Sequence, residues 1–304
     1  MKRKILMIFN PSSGVNGNDR RVTDVIRHLA EYNCEVTMYP IIPSRNLTSE
    51  SILTGAEVDY ESIVVLGGDG TMNHVINTMM EAGIHVPIGY IPAGSTNDFS
   101  HTLYRADTVK PEDICRYIAE KRTLRYDIGR FNNTYFNYVA AFGAFSRVSY
   151  ATPQDMKNSM GYAAYVLSFI ASIPEDISYK RHVSLICDGT RWEGDVMLGS
   201  VSNSISVAGV RLAALQDTLI NDGLLEVTLI PPLTNPMDLT ELAGSIIGGT
   251  PDEKHIRSFR GRHIELHFDR ETIWTLDGED GFPVQDIVID TVPEAITIYG
   301  PDFR

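Results

Sequence analysis

The sequence predicts an α/β domain with a mostly parallel sheet, followed by a β-sandwich domain. Its 304 residues are long for one domain, and 43% of them are hydrophobic, as in an ordinary soluble globular protein. Up to about residue 126, apolar runs of strand length alternate with segments of helical periodicity. Beyond it, short strands follow one another across turn signals. We therefore predict a first domain of residues 1–126, completed by 291–304, and a second domain of residues 127–290.

In the first domain, the continuous apolar run at residues 4–9 predicts a strand that is covered on both faces, as in a parallel sheet. Further strands are predicted at 34–39, 62–66 and 86–91. Apolar residues at helical spacing predict helices at about 22–29, 72–82 and 114–118. Because open parallel sheets bind ligands at the carboxyl ends of their strands, the loops that follow these strands form the candidate site.

In the second domain, short strands and hairpin turns predict antiparallel pairing. Asn132-Asn133-Thr134 and Asp188-Gly189 are the clearest hairpin turns. Strands are predicted at 128–131, 135–141, 183–187, 192–201, 224–230, 264–268, 273–276 and 287–289, and helices near 161–172 and 238–247. The last strand of the chain, at 295–299, is predicted to return to the first domain.

Composition and charge exclude several classes of protein. The formal net charge of −13 argues against nucleic acid as a partner, because phosphate backbones are bound by clustered cations. Cys34, Cys115 and Cys187 are odd in number and widely spaced, so we expect reduced core thiols. No apolar stretch approaches the roughly 20 residues of a membrane span. We expect a cytoplasmic protein that is at most peripheral at the inner face of the membrane.

Three polar, glycine-bearing loops follow predicted strands, at residues 10–14, 67–71 and 92–98. The second, Gly-Gly-Asp-Gly-Thr, lies between a strand and a helix, where unpaired backbone N–H groups and the helix dipole bind anions. Adjacent glycines let a phosphate approach the main chain, and Asp69 within the loop indicates that a cation shares the site. The chain has neither a P-loop motif nor the dinucleotide fingerprint G-x-G-x-x-G. These loops predict a site for phosphate and metal, with a nucleotide as the first candidate.

Taken together, the motifs identify a family. Asn-Pro-x-Ser-Gly at 10–14, Gly-Gly-Asp-Gly-Thr at 67–71 and Pro-x-Gly-Ser-x-Asn-Asp-Phe at 92–99 resemble the catalytic domain of diacylglycerol kinases. Asn-Asp-Gly-Leu-Leu at 221–225 and Asp-Gly-Glu at 277–279 resemble the C-terminal motifs of that family. The chain is similar over nearly its whole length to the soluble bacterial diacylglycerol and lipid kinases. Gly-Gly-Asp-Gly-Thr alone also occurs in NAD kinases.

The resemblance implies an enzyme that transfers the γ-phosphoryl group of ATP, with Mg²⁺, to a lipid hydroxyl in a cleft between its two domains. Diacylglycerol at the membrane surface is the favoured acceptor, and a homodimer is compatible with the resemblance. Glu279 would accept the proton of the lipid hydroxyl, and Asp69 would act in catalysis. Asp222, with the main-chain carbonyls of Leu219 and Leu224, would hold a structural Mg²⁺. The nucleotide would contact Asn10, Pro11, Ser12, Ser13, Gly14, Gly67, Gly68, Asp69, Gly70, Thr71, Met72, Asn73 and Ser95.

At one position the sequence departs from the family motif: Ser95 stands where the family usually has threonine, and serine keeps the hydroxyl.

Simpler interpretations compete with other assignments. Asp277-Gly278 by itself predicts only a hairpin turn. His263 and His267 have the spacing of helical zinc ligands, but the apolar residues between them alternate as in a strand, so an exposed polar face is expected. An NAD kinase and a non-catalytic protein that binds nucleotide or lipid remain the alternative functions.

Overall fold

The computed structural model describes residues 2–13, 19–55, 59–94, 97–105, 109–143, 180–207, 210, 213–279 and 281–301. Contacts between Cα atoms divide the chain into one unit of residues 1–127 with 293–304, and a second of residues 128–292. The predicted helix at 161–172 lies outside the described residues. None of the described helices is both long enough and apolar enough to cross a membrane.

The first unit is built on the predicted parallel strands. They are β1 (Arg3–Phe9), β2 (Cys34–Pro40), β3 (Ser62–Gly67) and β4 (Ile88–Pro92). The helices are α1 (Asp19–Glu31), α2 (Ser49–Gly55), α3 (Asp69–Ala82), α4 (Asp98–Tyr104) and α5 (Pro111–Glu120). β1 pairs with β2 on one side and β3 on the other, and β3 pairs with β4, all in parallel. All six residues of β3 are buried, as expected for a strand covered on both faces.

The last strand of the chain completes this sheet, as predicted. It belongs to β14 (Pro283–Tyr299), in which Ile298 pairs in parallel with Ile88 of β4. The hydroxyls of Tyr299 and Ser62 lie 2.8 Å apart and are buried. The chain terminus is therefore held in the sheet by both backbone pairing and a buried hydrogen bond.

The second unit is a β-sandwich of antiparallel strands. Its strands begin with β5 (Thr123–Phe131), which crosses the boundary between the units, followed by β6 (Thr134–Phe136), β7 (Val139–Phe142), β8 (Arg181–Cys187), β9 (Thr190–Val196), β10 (Leu198–Ser202), β11 (Leu225–Ile230), β12 (Arg257–Gly261) and β13 (His263–Leu276). One helix, α6 (Pro236–Gly248), lies between β11 and β12. One run of paired strands has the order β12–β11–β10–β7–β13, and β13 also pairs with β8 and β14.

The core of the second unit is aromatic. The ring of Phe142 lies 4.8 Å from that of Trp274 and 5.0 Å from that of Phe268, measured between centroids. Phe131 packs edge-on against Trp274 at 5.2 Å. These four side chains are at most 1% exposed. Three of them come from predicted strand segments, and Phe142 lies one residue beyond the predicted strand at 135–141.

Several predicted boundaries were wrong, each for a local reason. The predicted strands at 264–268 and 273–276 form a single strand, β13, whose pairing register shifts between His267 and Thr272. The predicted strand at 192–201 is interrupted at Met197, whose N–H donates to Ile230 O at 2.9 Å. Helix α3 begins at Asp69 instead of 72, because Gly68 has an extended conformation and serves as its N-cap.

Other predictions about side chains are confirmed. Cys34, Cys115 and Cys187 are buried and unpaired. His263 and His267 lie on the solvent side of β13, where their Nδ1 atoms are 2.6 Å from Asp290 Oδ1 and 2.5 Å from Asp286 Oδ1. They face carboxylates on β14, as expected of an exposed polar face.

Candidate active site

The three glycine-bearing loops lie side by side at the carboxyl edge of the parallel sheet. Each loop follows one of three neighbouring strands, β1, β3 and β4. The N–H of Asn10 donates to Leu66 O at 3.0 Å, and the N–H of Ala93 donates to Gly67 O at 2.8 Å. The loops after β1 and β4 are therefore both fastened to the end of β3.

Helix α3 starts at this edge and turns its N-terminus towards the loops. Gly68, its N-cap, has φ −85° and ψ −179° and provides no side chain to cap the helix. The first intrahelical bond runs from Met72 N to Gly68 O, at 3.1 Å. The N–H groups of the preceding turn have no acceptor in the helix, and such groups together with the helix dipole favour the binding of an anion.

The backbones of the second and third loops approach each other at two glycines. A Cβ built on Gly94 would lie 2.7 Å from Gly68 Cα, and one built on Gly68 would lie 3.3 Å from Gly94 Cα. Any side chain at Gly94 would force the backbones apart. Asn97 holds this loop, because its Oδ1 accepts from Gly94 N and its Nδ2 donates to Gly94 O, both at 2.9 Å.

Hydrogen bonds from Tyr90 and Asp98 hold Asp69 in place. It is 9% exposed, its Oδ1 accepts from the Tyr90 hydroxyl at 3.2 Å, and its Oδ2 accepts from the N–H of Asp98 at 3.0 Å. A carboxylate oxygen has more than one acceptor position, so either oxygen can also receive a bond from a metal-bound water. A fixed anionic oxygen beside an anion site is the type of ligand that Mg²⁺ prefers. Asp69 therefore fits a Mg²⁺ ion that accompanies a bound phosphate.

The loop after β1 is organised by Asn10. Its Oδ1 accepts from Ser12 N at 2.9 Å, and its Nδ2 donates to Thr71 Oγ1 at 3.4 Å. Pro11 and Ser12 are exposed. The amide thus connects the first loop to the first turn of α3.

The remaining predicted nucleotide contacts are distributed unevenly. Gly67 is the last residue of β3, and Gly70 lies in the first turn of α3. The N–H of Ser13 donates to Asn10 O at 3.2 Å. The side chain of Met72 is fully buried and that of Asn73 is 8% exposed, so both face mainly into the protein. Gly14 and Ser95 lie outside the described residues.

Three neighbours of this site were given no role from the sequence. The hydroxyl of Tyr90 donates to Asp69, and Asn97 bonds the backbone of Gly94. The third neighbour is Arg21, whose Nη1 donates to Pro92 O at 3.3 Å. Asn97 lies within a predicted loop, but nothing in the sequence shows that its amide closes that loop. Arg21 is in an arginine pair that looks like ordinary surface.

We expect Gly94→Ala to weaken ATP binding by about tenfold, because relieving an overpacked contact of this kind costs on the order of 1–3 kcal/mol. The measurement is the Kd for ATP by isothermal titration. Gly244→Ala is the matched control, since a Cβ there meets nothing within 4 Å and Gly244 lies within α6. Equal ATP affinity in the two variants would show that the close approach of Gly68 and Gly94 does not shape the site.

In the second unit, Asp277 and Gly278 form a tight hairpin turn. Their φ angles are 52° and 82°, and Glu279 N donates to Leu276 O at 3.0 Å. The Asp277 carboxylate, 2% exposed, accepts the N–H groups of Asn137 at 2.6 Å and of Tyr138 and Val139 at 3.0 Å. Glu279 is exposed at the end of this turn. Asp277 therefore anchors the turn that presents Glu279.

The predicted metal loop has a different arrangement from the one that the resemblance implies. Asp222 Oδ1 accepts from Leu224 N at 3.0 Å, and Asp222 Oδ2 accepts from Arg260 Nη2. Leu219 is 54% exposed. Because a guanidinium already neutralises the one carboxylate of the set, these residues do not fit a bound Mg²⁺.

Among the described residues, one further group has metal-binding geometry: Asp238, Glu241 and His255. Lys254 Nζ lies 3.2 Å from Asp238 Oδ1 and 2.6 Å from Glu241 Oε2. The lysine ammonium therefore stands where a metal would bind, and Asp238 already caps α6 through Thr234 and Asn235.

Comparisons with known proteins agree with this architecture. Residues 4–131 match the model of the diacylglycerol kinase catalytic domain, and residues 139–300 match that of the YegS C-terminal NAD kinase beta sandwich-like domain. A diacylglycerol kinase of Staphylococcus carnosus is 30% identical over 76% of this chain and 73% of its own length. One of Staphylococcus haemolyticus is 29% identical over 92% of this chain and 83% of its own length.

A solved structure shows the same fold. The crystal structure titled as a diacylglycerol kinase from Bacillus anthracis str. Sterne aligns with a TM-score of 0.76 at 21% identity, covering 98% of this chain and 96% of that one. The chain also shares sequence similarity with this family, both over the two matched domains and with the Staphylococcus carnosus enzyme. The chain belongs to the diacylglycerol kinase family.

Proposed function

We propose that this protein is an ATP-dependent lipid kinase that transfers the γ-phosphoryl group to a lipid hydroxyl, with diacylglycerol as the acceptor and phosphatidic acid as the product. The observation that carries the proposal is the uncapped N-terminus of α3 at the edge of the parallel sheet, where Tyr90 and Asp98 hold the Asp69 carboxylate. Membership of a kinase family supports phosphoryl transfer as the reaction. The curated relatives named as diacylglycerol kinases support the choice of acceptor.

The first unit supplies the groups that bind phosphate. Phosphoryl transfer depends mainly on positioning and on neutralising the charge of the phosphates. We assign these tasks to the N–H groups at the start of α3 and to the loop that Asn10 organises. Mg²⁺ would supply positive charge that offsets the charge of the phosphates, and Asp69 would help to hold it. Gly68 and Gly94 have no side chains, so their backbones approach closely and remain accessible to a phosphate.

We assign Glu279 as the group that accepts the proton of the lipid hydroxyl. Its exposed position on a turn anchored by Asp277 supports this role. Glu279→Gln is expected to lower kcat about 10²–10⁴-fold, the usual contribution of a general base, and to leave the Kd for ATP unchanged. Steady-state kinetics and ATP titration test this.

Glu271→Gln is the matched control for the Glu279 variant. Glu271 is an exposed acid on β13 of the same unit, and its neutralisation should leave kcat unchanged. Full activity of Glu279→Gln would remove Glu279 from the mechanism, while leaving the nucleotide site as proposed.

The acceptor is tested with mixed micelles that each contain one lipid alcohol, together with labelled ATP and Mg²⁺. We expect label in phosphatidic acid. Label only in another lipid, such as a monoacylglycerol, a sphingoid base or undecaprenol, would keep the reaction and change the substrate. Label in NAD but in no lipid would favour the NAD kinase alternative. ATP binding with no transfer to any acceptor would favour a non-catalytic protein.

A lipid acceptor also implies where in the cell the protein acts. Diacylglycerol resides in a bilayer, so we propose that the protein acts at a membrane surface and binds it peripherally. Sedimentation of the protein with vesicles that contain diacylglycerol tests this.

A further inference from the structure

The loop between residues 218 and 224 leads into β11 and carries Asp222, the residue to which the family resemblance assigns a metal. Gly223 has φ +75°, so the chain reverses directly after Asp222. Asp222 Oδ1 accepts from Leu224 N at 3.0 Å, two residues on. The loop is therefore closed locally, and only Oδ2 is directed at a group distant in sequence.

That distant group is Arg260 of β12. Glu226 of β11 pairs directly with Arg260 in the antiparallel register, so their side chains share one face of the sheet. Arg260 Nη2 donates to Asp222 Oδ2, and Arg260 Nε lies 3.2 Å from Glu226 Oε1. One guanidinium thus joins two carboxylates, one from the loop and one from the strand that follows it.

The charges favour the guanidinium over a metal ion. Glu226 is 7% exposed, and burial raises the pKa of its carboxyl to about 7 even though the Arg260 guanidinium acts in the opposite direction. The Asp222 side chain is 20% exposed, and a carboxylate withdrawn from water to this extent is stabilised by a partner of opposite charge. Arginine stays protonated at every working pH, and its fork of donors can serve both acids at once. A divalent cation at Asp222 would have to displace Arg260 or lie against it, which Coulomb repulsion disfavours.

We propose that Arg260 is the structural cation of this loop and takes the place of the metal ion, so that the loop folds and remains stable without Mg²⁺. In this protein the need for Mg²⁺ is then confined to the nucleotide. The proposal concerns the folded chain and does not depend on which reaction it catalyses.

The test is the melting temperature of the full chain without nucleotide, measured in excess EDTA and in millimolar MgCl₂. A Mg²⁺ ion bound at this loop would raise the melting temperature by mass action. To separate this loop from any other Mg²⁺ site, the response of wild type is compared with that of Asp222→Asn. We expect the same Mg²⁺ response in both.

Removing the arginine should convert the loop into a metal site. Arg260→Gln leaves Asp222 and Glu226 facing each other without a cation, so we expect its melting temperature in EDTA to fall by about 4 °C. MgCl₂ should recover about half of that loss, and the recovery should vanish in the double variant with Asp222→Asn. Arg191→Gln, at an exposed arginine of β9 for which no ion pair is found among the described residues, should show neither effect.

The opposite pattern would overturn the proposal. A Mg²⁺-dependent rise in the melting temperature of wild type that Asp222→Asn abolishes would show that the loop binds metal. An Arg260→Gln variant as stable as wild type in EDTA would show instead that Arg260 is not the structural cation of the loop. If Arg260→Gln does not fold, Arg260→Lys replaces it, because lysine keeps the positive charge but lacks the forked donors of the guanidinium. The comparison of wild type with Asp222→Asn still shows whether the loop binds Mg²⁺.

Discussion

Asp69→Asn is expected to lower kcat for phosphoryl transfer by about 10³-fold, the loss typical when a fixed charge at a reacting phosphate or oxyanion is removed. The carboxylate accepts hydrogen bonds on both oxygens, from the Tyr90 hydroxyl and from the N–H of Asp98. Asparagine has nearly the same shape, but it has one acceptor oxygen and turns an NH₂ group towards the other donor. It also lacks the negative charge that would orient Mg²⁺ at the phosphates. The measurement is kcat with saturating ATP and diacylglycerol in mixed micelles.

Stability must be measured alongside activity for this variant. A buried donor left without an acceptor costs about 1–3 kcal/mol, so the melting temperature should fall modestly while the protein stays folded. Asp113→Asn is the matched control, because Asp113 is a partly exposed acid on α5 that pairs with Arg116 at 2.8 Å. Asp69→Asn with the kcat of wild type would remove Asp69 from catalysis and leave it a structural residue of the loop.

Asp277→Asn is expected to cause the largest loss of stability, about 3–5 kcal/mol. The carboxylate accepts three backbone N–H groups, from Asn137, Tyr138 and Val139, and is 2% exposed. Asparagine can satisfy them only in part, and its own NH₂ would face one of these donors without an acceptor. A loss of this size should lower the melting temperature by about 6–15 °C in a protein of this length. Thermal and urea denaturation measure it.

The control for Asp277 is an acid on the surface of the same unit. Asp286 pairs with His267, but its side chain is 80% exposed, and exposed pairs of this kind contribute little. Asp286→Asn should therefore change the melting temperature by no more than about 2 °C. If both variants melt at the wild-type temperature, the three hydrogen bonds to Asp277 contribute no net stability.

Much of the first unit could be predicted because its signals are local. The run at 63–66 is fully apolar and the glycines after it end the strand, so both the buried strand β3 and the loop before α3 follow from a short window of sequence. The return of the last strand to this sheet was also predicted. Helix α3 begins earlier than its apolar stripe because an extended glycine can cap a helix without a capping side chain.

What could not be predicted depends on pairing register and on contacts between distant residues. The sequence of the single strand β13 predicts two strands, because Asp269, Arg270 and Glu271 interrupt the alternation of apolar and polar residues where the pairing register shifts. Asp277 reads as an ordinary turn residue, since its three donors lie about 140 residues earlier in the chain. The bond between Arg260 and Asp222 depends on the pairing of β11 with β12, and no local pattern reveals it. The approach of Gly68 to Gly94 depends in the same way on how β3 pairs with β4.

Transfer of label from ATP to diacylglycerol tests the central claim most directly. Purified protein is incubated with Mg²⁺, diacylglycerol micelles and ATP labelled at either the γ- or the α-phosphate, and the lipid is extracted and counted. We predict phosphatidic acid that carries the γ label and no α label, with the signal reduced about 10³-fold in Asp69→Asn. No γ label in any lipid fraction, from protein that still binds ATP, would contradict the assignment as a lipid kinase.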